Sequence, residues 1–230
     1  MKKIVVLTGA GISAESGIKT FRDENGLWVG HDVMQVASPK GFQSNPELVL
    51  DFYNQRRKQL LNVKPNKAHY NLAKLEKHFD IEIITQNIDD LHERAGSTKV
   101  THLHGELLKV RSTKNENLVY DWKKDLNLGD LCAENNQLRP HVVWFGEQVP
   151  QLEVAIKIVE NADVLVIIGT SMQVYPAASL VDYRPRSTPI YFIDPKPQIT
   201  ESKYEKLTIF DEVASSGSKK LYSNLLNEYY

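Results

Sequence analysis

Ile4-Val5-Val6-Leu7-Thr8-Gly9-Ala10-Gly11-Ile12-Ser13-Ala14-Glu15-Ser16-Gly17-Ile18 is the stretch on which the fold turns. Its first four residues are a continuous apolar run rich in β-branched side chains. Such a run predicts a strand buried on both faces of a parallel sheet. Gly9, Ala10 and Gly11 follow at once, and small residues there allow a tight turn and a close approach of the backbone to a ligand. Ser13 is suited to cap a helix that starts at this point, with free N–H groups facing a phosphate. Gly9-x-Gly11-x-x-Ala14 fits the loose dinucleotide pattern G-x-G-x-x-G/A. An ordinary strand-to-helix turn looks the same, so the pattern alone does not decide.

Outward from that stretch, a hydride-transfer enzyme should offer a second strand ending in an acid about 20 positions on. Ser16 to Gly30 instead brings Gly17, Gly26 and Gly30, the charges of Arg22, Asp23 and Glu24, and no apolar run. This predicts a long loop over the ligand. The nucleotide reading stands, and a simple Rossmann dehydrogenase becomes an alternative that reduced-nicotinamide absorbance would test. Residues 28–44 read as irregular. Asn45-Pro46-Glu47 starts a helix that runs to about Asn62, with Leu48, Phe52 and Leu60 on a rough apolar face. A second helix is predicted over 67–78. Strands are predicted at 81–85, 100–103, 164–168, 190–193 and 207–210, with helices at 91–95, 150–162, 176–182 and 218–227. Strands alternating with helices predict a doubly wound parallel sheet, an α/β Rossmann-like fold. Residues 106–138 are polar and without clear period and read as an inserted lobe, followed by an extended segment at 139–147.

Strand ends carry the chemistry. Gly9-Ala10-Gly11, Gln86-Asn87-Ile88-Asp89, Gly169-Thr170-Ser171 and Asp194 each follow a predicted strand directly. Open α/β sheets bind ligands beyond the carboxyl ends of their strands. Several such turns on one edge point to an extended ligand such as a dinucleotide.

Composition narrows the partners. The chain has 230 residues, and 28 Lys and Arg stand against 29 Asp and Glu. Near-balanced charge gives no general basic surface for nucleic acid. Cys132 is the single cysteine, which excludes an internal disulfide and suits a reducing compartment. The amino-terminal apolar run is too short for a signal-peptide core, and no run approaches a membrane-spanning length. The expectation is a soluble cytoplasmic monomer with no nucleic-acid or membrane partner.

Several motifs together resemble those of the sirtuins, NAD-dependent protein lysine deacylases. They are Gly9 to Ile18, Phe21-Arg22-Asp23, Thr85 to Asp89, His104-Gly105, Val143 to Glu147 and Gly169-Thr170-Ser171, in the family's order and over nearly the whole chain. The resemblance implies one catalytic unit, residues 1–230. Its Rossmann-like core would span about 1–30, 79–107 and 139–230, with a small lobe of a helical part, 31–78, and a degenerate zinc ribbon, 108–138. It also implies a reaction. The acyl-lysine carbonyl oxygen attacks the ribose carbon of NAD as nicotinamide departs, giving free lysine and O-acyl-ADP-ribose. His104 would draw a proton from a ribose hydroxyl, a task suited to a near-neutral pKa. Asn87 joins it as a catalytic residue, Gln86 and Asn87 contacting the ribose or ordering a water. Asp89 would accept from the nicotinamide amide. The NAD contacts implied are Gly9, Ala10, Gly11, Ser13, Ala14, Glu15, Thr20, Phe21, Arg22, Trp28, Gln86, Asn87, Ile88, Asp89, Gly169, Thr170, Ser171, Asp194, Pro195, Lys196 and Ala214. Val143, Trp144, Phe145 and Gly146 would pair with substrate backbone by strand addition.

Other readings of the same residues stay open. Asn87 and Asp89 could cap the helix from Leu91, and Ser171 could be a cap. His102 and His104 share a strand face and could be read as metal ligands, but no third ligand is evident nearby. A mono-ADP-ribosyltransferase and a non-catalytic NAD or ADP-ribose sensor are the alternative functions.

The chain departs from the family where the family carries a structural zinc on two Cys-x-x-Cys pairs. Ser112-Thr113-Lys114-Asn115 and Cys132-Ala133-Glu134-Asn135 keep the spacing but only one thiol. Four thiolates make a closed tetrahedral site, and one cannot, so no zinc is expected. Packing through Leu118, Tyr120, Trp122, Leu126 and Leu131 would hold the lobe instead. Asp194 and Asp90 stand where many relatives have Asn and Gly. Finally, Tyr53-Asn54-Gln55-Arg56 puts a phenol and a guanidinium on one helix face. That pair suits a carboxylate and, in the succinyl-, malonyl- and glutaryl-removing branch of the family, recognises the acyl group. The bland reading is a basic solvated face, since Arg57 and Lys58 follow. The acyl-lysine expected is therefore an acidic one, with acetyl also removed.

Overall fold

The apolar run at 4–7 lies inside a parallel sheet of six strands. The structure is a computed structural model that describes residues 1–19, 27–28 (backbone), 30–199 and 204–230. In chain order its elements are β1 (Lys3–Thr8), α1 (Gly11–Ala14), β2 (Leu27–Trp28), β3 (His31–Asp32), α2 (Val33–Val36), α3 (Pro39–Ser44), α4 (Pro46–Asn62), α5 (Lys67–Leu75), β4 (Asp80–Thr85), α6 (Leu91–Ala95), β5 (Val100–His102), β6 (Gly105–Ser112), β7 (Val119–Asp121), β8 (Leu138–Val142), α7 (Leu152–Glu160), β9 (Val164–Ile168), a 3-10 helix (Ala177–Tyr183), β10 (Ile190–Ile193), β11 (Leu207–Phe210) and α8 (Ala214–Tyr229).

The sheet order is β11-β10-β9-β1-β4-β5, every pair parallel. Strand order therefore reverses at β1 and β9, the doubly wound arrangement whose switch point opens a ligand crevice. Thr8 pairs with both Thr85 and Ile168, so β1, β4 and β9 end level. The turns after them share one edge.

Alternation along β1 sends side chains to opposite layers. Ile4 and Val6 pack with Leu72 and Leu75 of α5 and Leu221 and Leu225 of α8. Val5 and Leu7 pack with Ala155 and Val159 of α7 and Leu180 of the 3-10 helix. Each such aliphatic side chain contributes about 1.5–3 kcal/mol on burial. Burial on both faces is why these strands read as unbroken apolar runs.

The structure corrects several local expectations. Residues 33–44 are not irregular: Asp32 accepts from the Met34 N–H to start α2, and Ser38 accepts from the Gly41 N–H to start α3, with Pro39 in the first turn. Ser13 is no cap, because it lies inside α1, whose N-cap position is Ala10. The second long helix stops at Leu75, the 176–182 segment is a 3-10 turn, and the last helix begins at Ala214. The lobe is more ordered than its sequence suggests. β6 pairs antiparallel with both β7 and β8, and β8 starts at the last residue of the predicted lobe and runs into the predicted extended segment. β6 carries no strict alternation, since Val110, Arg111 and Ser112 are consecutively buried, and its pairing with β8 shifts between Gly105 and Val110. A period-2 search therefore passes over it.

The lobe interior is Leu50 of α4 with Val110, Leu126, Cys132 and Leu138, flanked by Leu118, Tyr120 and Trp122. Leu131 does not join it and is 49% exposed. Buried Arg57 ties α4 to the lobe by donating to the Leu107 carbonyl and to Asn54 Oδ1. Asn54 in turn bonds both the N–H and the carbonyl of Leu126.

Candidate functional site

A cleft of about 680 Å³ runs along the carboxyl edge of the sheet and under the lobe. Every predicted site residue that the structure describes lines it: 9–11 and 13–15, 86–89, His104, 143–146, 169–171, 194–196, Ala214, and Tyr53 with Arg56. Thr20, Phe21, Arg22 and the Trp28 side chain lie outside the described residues.

The glycines answer first to each other. A Cβ on Gly9 would stand 2.7 Å from the Thr170 Cβ, and one on Gly11 would stand 2.6 Å from the Gly169 Cα. Gly169, at φ +64°, would put a Cβ 2.4 Å from the Ile12 nitrogen. Their absence lets the Gly11 N–H donate to the Gly169 carbonyl at 2.8 Å and the Gly9 N–H to the Ile168 carbonyl at 3.0 Å. The two loops flanking the switch point are thereby clamped into one floor.

Behind that floor sits a connected polar group. The Ser13 hydroxyl donates to Asp89 Oδ2 at 2.9 Å and accepts from the Asn87 amide at 3.2 Å. The Asn87 amide also reaches the Gly9 carbonyl. The Leu91 N–H donates to Asp89 Oδ1, but the N-cap position of that helix is Asp90, so Asp89 lies just ahead of the helix and lines the cleft. Burial pushes the Asp89 carboxyl up to about 6, while the Leu91 and Ser13 hydrogen bonds pull the other way. His69 Nδ1 accepts from the Asn66 N–H, which leaves Nε2 facing Ser13 Oγ at 3.5 Å. Thr8 Oγ1 meets His92 Nε2 at 3.1 Å, and the His69 and His92 rings meet edge to face. Burial holds His69 down at about 4 and His92 well below its usual value. No sequence reading singled out His69 or His92. The signal available was the Asn66-x-x-His69 spacing of a capping box.

His104 has a fixed tautomer. Its Nδ1 lies 2.9 Å from the Gln86 carbonyl, which can only accept. Nδ1 therefore carries the proton, and in the neutral ring Nε2 keeps its lone pair. Burial lowers the ring's pKa, and the Gln86 contact partly offsets this. The Gln86 amide donates to Thr170 Oγ1 at 3.2 Å, joining the β4 and β9 loops.

The lobe side of the cleft is braced by charge. Glu147 accepts from Arg139 at 2.6 Å, from Arg111 at 3.3 Å and from the Trp144 N–H at 2.8 Å. The Arg139 guanidinium lies 3.4 Å from the Trp144 ring centre. Trp144 Nε1 donates to the Tyr53 hydroxyl at 3.0 Å. Tyr53 is buried, which raises its pKa, so it faces the cleft as a neutral phenol. The Phe145 N–H donates to the Ala37 carbonyl and the Val143 N–H to the His104 carbonyl, which sets the direction of the 143–146 strap. Gly105 makes this approach possible, since a Cβ there would stand 2.1 Å from the His141 carbonyl.

Two predicted contacts have other partners. The Glu15 carboxylate is hydrogen-bonded to the Ser215 N–H and hydroxyl, where it caps α8 from outside. Asp194 accepts from the Lys196 N–H at 2.9 Å.

The zinc-ribbon positions do not fit a metal. Ser112 Oγ accepts from the Lys114 and Asn115 N–H groups. It also hydrogen-bonds Cys132, while the Asn115 amide donates to Glu134 across the gap. Neutral oxygens already engaged and a single thiol make a poor donor set for zinc. His102 Nδ1 and His104 Nδ1 each face a backbone carbonyl, and no cluster among the described residues could hold a metal ion.

Three comparisons with known proteins agree. A family model described as the Sir2 family matches residues 9–176. An NAD-dependent protein deacylase of Helicobacter pylori is 66% identical over 196 residues, 85% of this chain and 86% of that protein. One of Bacteroides thetaiotaomicron is 52% identical over 232 residues, 98% of this chain and 99% of that protein. A solved Sir2 homologue–NAD complex superposes with TM-score 0.87 at 40% identity, over 98% of this chain and 90% of that one. A Sir2 protein bound to acetylated peptide does so with TM-score 0.81 at 32% identity, over 96% and 92%.

Proposed function

The chain belongs to the Sir2 family, the sirtuins, and is an NAD-dependent protein deacylase; we propose that it removes acidic acyl groups, succinyl and malonyl, from lysine, and acetyl as well. The observation that carries this reading is one cleft that collects His104, the 86–89 loop, the glycine floor and the Tyr53/Arg56 pair.

The cleft fits NAD. Its floor is made of small residues, and buried Asp194 with Lys196 and Ala214 lines it together with Asn87, Asp89 and His104. When bound, NAD supplies a glycosidic bond whose leaving group is already cationic. Asp89, an ionised acceptor, receives the nicotinamide amide. Asn87 and Gln86 hold the ribose side. His104, its proton fixed on Nδ1, offers Nε2 to take a proton from a ribose hydroxyl. The strap at 143–146 adds the substrate peptide as a strand, with the acyl chain directed toward Tyr53 and Arg56.

Arg56 lines the cleft, and its guanidinium lies 4.8 Å from the Phe52 ring centre. A carboxylate there would gain a fork of N–H donors beside a neutral phenol. Arg56→Met is expected to lower desuccinylation about tenfold more than deacetylation, a difference of about 1.4 kcal/mol. Equal loss on both peptides contradicts the acidic preference. The reading also holds the protein to be a zinc-free cytoplasmic monomer that takes no nucleic acid or membrane. One zinc per chain by metal analysis would contradict the first point. Among the described residues no helix is long and apolar enough to cross a membrane.

A further inference from the structure

Two histidines spaced two apart hold consecutive carbonyls of the neighbouring loop. The β4–β5 pairing runs to Thr85↔His102, and the Leu103 N–H donates to the Thr85 carbonyl. Beyond it, side chains continue the pattern: His104 Nδ1 reaches the Gln86 carbonyl at 2.9 Å and His102 Nδ1 the Asn87 carbonyl at 3.2 Å. The second nitrogen distinguishes the two rings. His104 lines the cleft, whereas His102 Nε2 lies 2.7 Å from Glu93 Oε1. The His102 side chain is only 10% exposed. A carbonyl and a carboxylate both accept, so two N–H donors, an imidazolium, satisfy His102.

The geometry points to His102, charged against Glu93, as a positioning residue that fixes the Asn87 carbonyl and with it the loop that carries Asp89. The charged and titratable groups that act on it or that it acts on are Glu93 and His92 of α6, Glu106 of β6, and Asp89, while Lys109 acts on Glu93. His92 is held neutral by burial, and Glu106 is paired with Lys109 at 2.7 Å. Burial pulls the His102 pKa down, but Glu93 and the Asn87 carbonyl more than offset it, and Glu93 is lowered in turn. The His102 charge also pulls Asp89 down against the burial that raises it. Without that charge Asp89 moves toward protonation near neutral pH, and a protonated carboxyl loses acceptor capacity.

The consequence for turnover rests on the deacylase reading, whereas the protonation states do not. The first test is therefore an NMR titration of the whole protein and of Glu93→Gln and His102→Gln. The expected result is an imidazolium at His102 at pH 7.5 and an Asp89 midpoint raised by about half a unit or more in both variants. A neutral His102 at that pH, or an unmoved Asp89 midpoint, overturns the assignment. The second test is the pH profile of kcat/KM for NAD. Its acid limb should move to higher pH in both variants, and KM for NAD should rise about 3- to 10-fold, with affinity for ADP-ribose, which keeps the ribose beside Asn87 but lacks nicotinamide, falling by less. Equal loss of ADP-ribose affinity contradicts the positioning role. A wild-type protein that turns over no acylated peptide refutes the deacylase reading and leaves the NMR result standing.

Discussion

At the carboxyl edge of the sheet, buried polar groups hold one another: Thr8 with His92, Ser13 with Asp89, Asn87 with Gly9. In the lobe between 106 and 138 the interior is apolar, Leu126, Cys132 and Leu138 closing on Val110 and Leu50. The first region depends on the identity and direction of each donor, because an unpartnered buried polar group costs about 1–3 kcal/mol. The second depends on volume. It stands where the resemblance places the family's zinc knuckles, and its described contacts are apolar packing and a few hydrogen bonds such as Asn115 to Glu134. Changes at the edge should therefore show in turnover, and changes in the lobe in stability.

The largest effect that divides the regions is expected from His104→Ala. Turnover should fall by about 10²–10⁴-fold with the urea midpoint nearly unchanged, measured by peptide assay and denaturant titration. A turnover loss below tenfold would break the division. Leu126→Ala should do the reverse. It removes a fully buried side chain at the meeting point of α4 and the lobe, so stability should drop by about 2–5 kcal/mol while kcat of the folded fraction is retained.

A smaller effect sharpens the account of the edge. His69 is held at about 4 in the folded protein against 6.5 unfolded. A lowered histidine contributes stability that is present above pH 6.5 and lost as pH falls toward 4. Asp89, raised to about 6, acts in the opposite sense: its contribution is present below 3.8 and lost as pH rises through 6. From pH 7.5 to 5 the His69 contribution should fall by about 2 kcal/mol. His69→Gln should flatten the stability–pH curve over that interval in urea titrations. An unchanged slope would place His69 outside the coupling.

What the sequence displays and what it hides follow from range. The strand at 4–7, the glycine turn and the polar turns after β4 and β9 are local patterns, and the three turns meet in one cleft. Asn45-Pro46 marks α4 by its cap, and Ser38-Pro39 carries the same kind of signal for α3. The rest depends on long-range contacts. Ser13 and His69 are far apart in sequence, as are Trp144 and Tyr53, and no local period links them. The lobe strands carry no period-2 signal because β6 is buried on consecutive residues, and Leu131 is an apolar residue that faces solvent. Glu15 carried a motif position, but its carboxylate serves α8.

The most direct test of the account is mass spectrometry of matched acetyl-lysine and succinyl-lysine peptides incubated with the protein, with and without NAD. The account predicts NAD-dependent loss of both acyl groups, succinyl at the higher efficiency, with nicotinamide and O-acyl-ADP-ribose formed in equal amounts. NAD-dependent loss of acetyl alone would contradict the role given to Tyr53 and Arg56. Loss of neither group from the folded protein would contradict the deacylase account itself.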